Sequence, residues 1–261
     1  MHELDRPGTA ADVRAAPAPR LAGLATALPP HVLRQADIRA LGREVFGEIA
    51  TANPLMLRVF DNAGVLERRS CMPIEWHLRD HGWRERAATY LEHAVALTER
   101  AALDCLRNAG RRIDEVDAVI TIGTTGFAAP SLDAHLLNRI GFRPDIIRLP
   151  VFGLGCAGGV VGLARAADLA RAMPGRLVLL LVVELCTLTF RRQDRSKNNF
   201  VATALFGDGA AAALVGSDGD GPVIAASGQH TWPGTLDVMG WRVEDDGFGV
   251  LFARDIPAIV R

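Results

Sequence analysis

A chain of 261 residues with 49% hydrophobic and 23% charged side chains is long enough to bury a sizeable core, in one large domain or two small ones. Its formal net charge of −1 excludes bulk attraction to nucleic acid or to anionic membranes as the basis of its function. Its 4 cysteines are widely spaced and form no disulfide framework, which predicts a reducing, cytoplasmic location.

The first part of the chain predicts a leader followed by a strand and several helices. Residues 1–19 are predicted to be flexible, because they can bury little apolar surface, and they lack the apolar run of a secretory signal. A strand is predicted over 21–27, a helix over 36–46 and a short helix over 55–60. The clearest amphipathic helix spans 86–109 and is ended by Gly110. Its apolar face consists of Leu91, Ala94, Val95, Thr98, Ala102, Cys105 and Leu106.

From residue 118 onward strands and helices alternate, which predicts an α/β layered fold. The run at 177–183 is continuously apolar, as is typical of a strand covered on both faces, and it is too short to span a bilayer. The other predicted strands are 118–122, 146–152, 210–215, 223–226 and 248–252. The predicted helices are 131–140, the largely buried 157–173, and one that starts at Ile256.

The most informative stretch is Gly-Leu-Gly-Cys-Ala-Gly-Gly at residues 153–159, where a predicted strand gives way to a predicted helix. It places the thiol of Cys156 at the N-terminal end of a helix, where partial positive charge favours the nucleophilic thiolate. The glycines allow a sharp turn and the close approach of a substrate. The alternative is a strand–helix turn with a buried structural cysteine.

Two further stretches lie where sites form in α/β sheets, at strand ends. The run Glu-Leu-Cys-Thr-Leu-Thr-Phe at 184–190 directly follows the buried strand. Because a buried glutamate is costly unless it is paired, Glu184 is predicted to have a specific partner in a structural role. The stretch Leu-Phe-Gly-Asp-Gly at 205–209 contains a turn that feeds a strand, and by itself it is also compatible with an ordinary hairpin or loop.

Together these stretches resemble the type III polyketide synthases, the chalcone and stilbene synthase group of the thiolase superfamily, over about residues 20–261. Segments 123–126, 237–241 and 247–257 add to the resemblance, which is closer to bacterial members than to plant ones. It implies a thiolase-like layered αβαβα fold. The N-terminal domain would span 20–221, and the second half would begin at 222 and be cut short at 261.

The resemblance also implies an acyltransferase activity. Cys156 would take an acyl starter from coenzyme A as a thioester and extend it by decarboxylative condensation with malonyl-CoA, giving a pyrone- or resorcinol-type polyketide. Phe206 matches the family's gatekeeping phenylalanine, between the CoA tunnel and the cavity. Arg58 falls near a position where relatives bind the CoA phosphates, and the alternative for it is a solvated surface arginine. The residues that match cavity-shaping positions are Thr124, Cys186, Thr189 and Val250.

No metal or organic cofactor is predicted, because the thiol and the CoA thioester carry the chemistry. Cys71, His77 and His81 fit no common zinc spacing. The basic run 191–197 is expected to be a solvated loop, and the alternative is that it attracts CoA. The partners implied are acyl-CoA, malonyl-CoA and a second copy of the chain in a homodimer, with no nucleic acid or membrane.

The family's catalytic histidine and asparagine motifs do not occur in the 261 residues, and His230 matches neither motif. The favoured interpretation is therefore a fragment of an active synthase, and the alternative is a short product with little condensing activity. Two other function classes remain open, a ketoacyl-ACP synthase III-like enzyme and a non-catalytic dimerisation partner. A nucleotide-binding domain is disfavoured because no Gly-x-Gly-x-x-Gly follows the first strand.

Overall fold

A computed structural model describes residues 17–47, 51, 54–253 and 256 of the chain. Most of the predicted leader and almost all of the helix predicted from Ile256 lie outside the described residues. The strands are β1 Arg20–Ala27, β2 His31–Arg34, β3 Glu67–Ser70, β4 Val116–Gly123, β5 Ile147–Phe152, β6 Leu177–Leu185, β7 Asp208–Gly216, β8 Met239–Glu244 and β9 Gly247–Phe252. The helices are α1 Gln35–Val45, α2 Arg58–Asn62, α3 Ile74–His77, α4 Trp83–Asn108, α5 Leu132–Ile140, α6 Gly158–Ala172 and α7 Lys197–Leu205.

Five strands form one mixed sheet in the order β1-β7-β6-β4-β5. β4 runs parallel to its neighbours β5 and β6, whereas β7 is antiparallel to β6 and β1. The alternating side chains of β6 point to opposite faces, with Leu179 in one apolar cluster and Leu180 in another. The prediction that this strand is covered on both faces is therefore confirmed.

Helices cover the two faces of this sheet. α4 packs across β1, β7 and β6 on one face, and α6 packs across β6, β4 and β7 on the other. α4 begins three residues before the predicted helix, at Trp83, and every residue of its predicted apolar face is buried except the half-buried Leu91. The predicted α/β layering is confirmed.

A smaller unit, built on the antiparallel pair β2–β3, packs beside the main sheet. Its core combines aliphatic side chains with three phenylalanines: Phe46 and Phe60 meet Phe200 edge-on, with ring centroids 5.2 and 5.4 Å apart. β2, β3 and α7 were not predicted from the sequence. Strands of four residues carry almost no periodicity signal, and β3 reads Glu-Arg-Arg-Ser. This unit holds α7 close to β3.

One local prediction was wrong, and two correctly predicted elements expose apolar side chains. Residues 223–226 do not form a strand, because Val223 makes only an isolated bridge with Arg20. β5 lies at the sheet edge and exposes apolar side chains, with 55% of Phe152 accessible. α6 is largely buried as predicted, but Val160 in its first turn is 75% exposed. Among the described residues, no helix combines the length and apolarity needed to cross a membrane.

Candidate active site

Cys156 lies in a 3₁₀ turn, Gly155–Ala157, between the end of β5 and the start of α6. Gly153 and Gly155 have φ values of +90° and +55°, so this turn needs the backbone freedom of glycine. The cysteine is exposed, which overturns the alternative of a buried structural residue. The structure therefore presents a free thiol directly before the first turn of a 15-residue helix.

The first turns of α6 lie directly against the sheet. A Cβ atom at Gly158 would be 2.7 Å from Ile122 Cγ2, and one at Gly162 would be 2.4 Å from Ile122 Cδ1. Glycine at both positions is thus what allows the close approach of the helix to β4. This packing fixes the helix that carries Cys156 relative to the neighbouring strand ends.

Glu184, near the end of β6, is paired with the residue that follows β4. Thr124 Oγ1 donates to Glu184 Oε1 at 2.8 Å, and the Thr124 backbone N–H donates to Oε2 at 3.1 Å. Burial raises the pKa of Glu184, while these hydrogen bonds act in the opposite direction. The prediction that Glu184 has a specific partner is confirmed, and the partner is one of the predicted site residues.

The 3₁₀ turn Cys186–Thr189 continues directly from β6. Burial raises the pKa of the Cys186 thiol, and the nearby Glu184, Asp208 and Cys156 act in the same direction. Thr189 Oγ1 donates to the Cys186 carbonyl at 2.7 Å, so its hydroxyl stabilises the turn itself.

Cys186, Thr189 and Phe206, all predicted site residues, line one pocket of about 460 Å³ that is partly open to solvent. Its lining includes apolar side chains such as Leu33 and Phe190 and polar ones such as Arg68 and Asn199. The remaining lining residues are Ile38, Leu41, His77, Thr187, Ala202 and Thr203. The polar members other than Cys186 and Thr189 were not predicted, because they come from separate elements: β3, α3, the Cys186–Thr189 turn and α7.

The other predicted residues do not line this pocket. The Thr124 hydroxyl is hydrogen-bonded to Glu184. Val250 is buried in β9, where its backbone carbonyl accepts a hydrogen bond from Asn198 at 3.3 Å. Arg58 is exposed on α2, which leaves its assignment to CoA a prediction. Cys156 also does not line this pocket, and its side chain is exposed.

Phe206 follows the last residue of α7, and its ring faces the β8–β9 hairpin. The ring centroid is 5.8 Å from that of Trp241 and 5.7 Å from that of Phe252. A second pocket, of about 360 Å³, lies between α4 and this hairpin and includes Thr125 and Thr189 in its walls. Its aromatic members Trp83, Phe127 and Phe248 were missed, because they are distant in sequence.

Arg191 of the basic run and His77, which was weighed as a metal ligand, both have partners within the protein. Arg191 forms ion pairs with Asp194 at 3.6 Å and Asp246 at 2.6 Å, so the prediction of a fully solvated loop is wrong at this position. His77 Nε2 lies 3.2 Å from the Ser70 hydroxyl. Within the described ranges, no three His, Cys, Asp or Glu residues are grouped as metal ligands.

The middle of the chain identifies its family. Residues 77–219 match the model described as chalcone and stilbene synthases, N-terminal domain. The chain belongs to this family. It is 41% identical to 1,3,6,8-tetrahydroxynaphthalene synthase of Streptomyces peucetius subsp. caesius over 92% of this chain and 65% of the relative. It is 36% identical to a putative chalcone synthase of Bacillus subtilis (strain 168), over 91% of this chain and 69% of the relative.

Solved structures of type III polyketide synthases have the same fold. The 1,3,6,8-tetrahydroxynaphthalene synthase of Streptomyces coelicolor A3(2) superposes with a TM-score of 0.84 at 31% identity, covering 92% of this chain and 69% of that one. Germicidin synthase from Streptomyces coelicolor gives 0.86 at 27% identity, covering 94% and 72%. The thiolase-like fold predicted from the sequence is confirmed, and the chain spans about two thirds of the length of these family members.

Proposed function

We propose that the whole protein is a type III polyketide synthase and that Cys156 is its nucleophile. The observation that carries the proposal is the exposed thiol of Cys156, in the turn between the end of β5 and the start of α6. The partial positive charge at a helix N-terminus stabilises a thiolate, and the thiolate is the attacking form. The 41% identity to a tetrahydroxynaphthalene synthase supports the same assignment.

The reaction proceeds in two steps. The Cys156 thiolate attacks the thioester carbonyl of an acyl-CoA, and CoA leaves as its thiolate. Malonyl-CoA then loses CO₂, and the electron pair of the broken C–C bond forms an enolate. The enolate carbon attacks the acyl-cysteine carbonyl, a new C–C bond forms, and the Cys156 thiolate leaves. Further rounds give a poly-β-keto chain that cyclises to a pyrone or a resorcinol.

In this proposal the pocket lined by Cys186, Thr189 and Phe206 receives the acyl chain. Phe206 separates the CoA side from the pocket, since an aromatic ring excludes water and orients a malonyl group. Thr124 and Val250 bound the space for elongation from the neighbouring strand end and hairpin. Arg58 binds a CoA phosphate.

No metal or organic cofactor takes part, and the reaction takes place in the cytoplasm, in keeping with four free cysteines.

A homodimer is also part of the proposal. The edge strand β5 exposes Ile147, Leu149 and Phe152. The exposed Phe127 ring lies 6.1 Å from that of Phe152, and the exposed Val160 is in the first turn of α6. An apolar surface of this kind marks an interaction site. We expect light scattering to give the mass of two chains and the Leu149→Glu variant to give the mass of one. A wild-type monomer would contradict this assignment.

The nucleophile is tested by incubating the chain with an acyl-CoA and measuring the intact mass. One acyl group is expected on the wild type and none on the Cys156→Ala variant. Cys105 is the internal control, because burial raises its pKa to about 11. Acylation that persists in Cys156→Ala, or none in the wild type, would refute the assignment of Cys156.

Turnover is tested on the polypeptide encoded by the complete reading frame, supplied with malonyl-CoA and a series of acyl-CoA starters. Release of CO₂ and CoA together with pyrones or resorcinols is expected. Activity that requires an acyl carrier protein would instead favour a ketoacyl-ACP synthase III-like enzyme. Absence of CO₂ and CoA release would favour a non-catalytic dimerisation partner.

A further inference from the structure

Arg68, on β3, is a buried cation placed against the C-terminal end of α7, with only 7% of its surface accessible. Its Nη1 donates to the carbonyls of Thr203 at 2.6 Å and Phe206 at 3.3 Å, and its Nη2 donates to Ala204 at 3.0 Å. One guanidinium therefore bonds to the last turn of the helix and to the residue directly after it.

These carbonyls need an external donor. The last four C=O groups of a helix have no partner within it. Here the Phe206 N–H donates to the Ala202 carbonyl at 2.9 Å, whereas the Thr203 and Ala204 carbonyls accept from side chains. The C-terminal end of a helix also carries partial negative charge, which favours a cation. Arg68 supplies both the donors and the charge.

Gln35 completes the arrangement at the start of α1. Its Nε2 donates to the Ala204 carbonyl at 3.1 Å and to the Phe60 carbonyl at 3.0 Å, while its Oε1 accepts from Arg68 Nη2. The guanidinium is thus held in place by a side chain that bonds to the same helix end. Arg68 and Gln35 act as one unit.

Among the described residues, no carboxylate lies within ion-pair distance of Arg68, and burial lowers its pKa to about 10. A buried charge without an acidic partner is costly. The backbone after Phe206 also runs close to the arginine stem, since a Cβ at Gly207 would be 3.1 Å from Arg68 Cβ. The contacts of Arg68 therefore converge on the backbone that carries Phe206.

We propose that Arg68 is a positioning residue that sets the direction of the Phe206 ring at the edge of the pocket both residues line. Its effect on the reaction rests on the proposed function, whereas its effect on the ring does not. Without the guanidinium, the Thr203 and Phe206 carbonyls lose their side-chain donor and the Ala204 carbonyl keeps only Gln35. The ring then leaves its contacts with Trp241 and Phe252. Lysine keeps the charge, but a single ammonium cannot span the three carbonyls in this planar geometry.

The position of the ring is tested by ¹⁹F NMR of the 261-residue chain labelled with 5-fluorotryptophan, which gives one resonance for each of the 4 tryptophans. The Trp241→Phe variant assigns the resonance that reports on Phe206. We expect Arg68→Lys to shift or broaden the Trp241 resonance and to leave the other three in place. Gln35→Ala should cause a smaller change of the same kind. An unchanged Trp241 resonance, or equal changes in all four, would overturn the proposal.

The matched control is Arg69→Lys. Arg69 is the next residue on β3, points to the opposite side and approaches Glu67 at 3.9 Å. It should leave all four resonances in place. A change at Trp241 as large as that in Arg68→Lys would show that any loosening of β3 moves the ring, and it would also overturn the proposal.

The effect on the reaction is tested by a double-mutant cycle on the polypeptide from the complete reading frame. Arg68→Lys is expected to lower kcat for condensation by roughly tenfold with little change in the starter KM, which a uniform loss of binding would not give. In the Phe206→Ala background the same substitution should have almost no further effect. An equal loss in both backgrounds would show that Arg68 does not act through Phe206.

The two parts of the experiment separate the two proposals. A shifted Trp241 resonance with no turnover in the wild type would refute the proposed function and leave the positioning role standing. Normal turnover in Arg68→Lys would refute the role of Arg68 in the reaction and leave the proposed function standing.

Discussion

Asp208 accepts two hydrogen bonds from Thr187, one from the backbone N–H at 2.7 Å and one from the hydroxyl at 2.6 Å. The Cys71 N–H adds a third at 2.8 Å. The carboxylate at the start of β7 thereby connects the 3₁₀ turn Cys186–Thr189 to the chain just after β3. The aspartate of the Gly-Asp-Gly turn is a structural junction beside the pocket.

Substitution of Asp208 tests this junction. Asparagine has the same shape, but its NH₂ group cannot accept, so at least one buried donor loses its partner. We expect Asp208→Asn to lower the free energy of unfolding by about 1–3 kcal/mol, measured by urea denaturation. Asp220→Asn, at an exposed position, is the control and should leave stability unchanged. Equal stability of the two variants would contradict the role of the carboxylate.

The Thr124–Glu184 pair predicts a specific dependence on the threonine hydroxyl. Thr124→Val keeps the shape but removes the donor at 2.8 Å from a partly buried carboxylate. We expect a loss of about 1–3 kcal/mol in the free energy of unfolding. Thr124→Ser retains the hydroxyl and should lose distinctly less. If the two variants are equally stable, the hydroxyl contributes nothing to the pair.

The close contact between α6 and the sheet predicts opposite effects of alanine at two glycines of the same helix. Gly162→Ala places a methyl 2.4 Å from Ile122 and 2.7 Å from Leu180, so overpacking should cost about 1–3 kcal/mol. At Gly159 nothing lies within 4 Å of the new methyl, so the better helix propensity of alanine should stabilise the protein by up to about 1 kcal/mol. Thermal unfolding measures both, and stabilisation by Gly162→Ala would show that α6 lies farther from β4.

His77 predicts a dependence of stability on pH. Burial, together with Arg86 and His81, lowers its pKa from 6.5 to about 3. Between these values the unfolded chain binds the proton more tightly, so stability is lost as the pH falls below 6.5. We expect the wild type to lose about 1.4 kcal/mol more per pH unit than His77→Gln in this range. His230→Gln changes an exposed histidine, so its stability should depend on pH as that of the wild type does. If the free energy of unfolding falls with pH equally in the wild type and in His77→Gln, His77 is not a buried neutral imidazole.

The tertiary structure alone explains several features that the sequence pattern misses. β5 carries apolar side chains at four of its six positions, yet the strand lies at the sheet edge and exposes Phe152. Residues 223–226 have strand-forming side chains, but Val223 finds only Arg20 as a bridge partner. A local sequence pattern shows which secondary structure a segment favours. It does not show which other segment lies beside it in the folded protein.

The sequence by itself determined the α/β layering, the apolar face of α4, the glycine-flanked Cys156 and the need of Glu184 for a partner. Each of these depends on local periodicity or on the cost of burying one group. Only the tertiary structure decided that Thr124 is that partner and that Arg68 bonds to the end of α7, 135 residues away. Contacts over such separations depend on the packing of whole elements, and no spacing within one element encodes them.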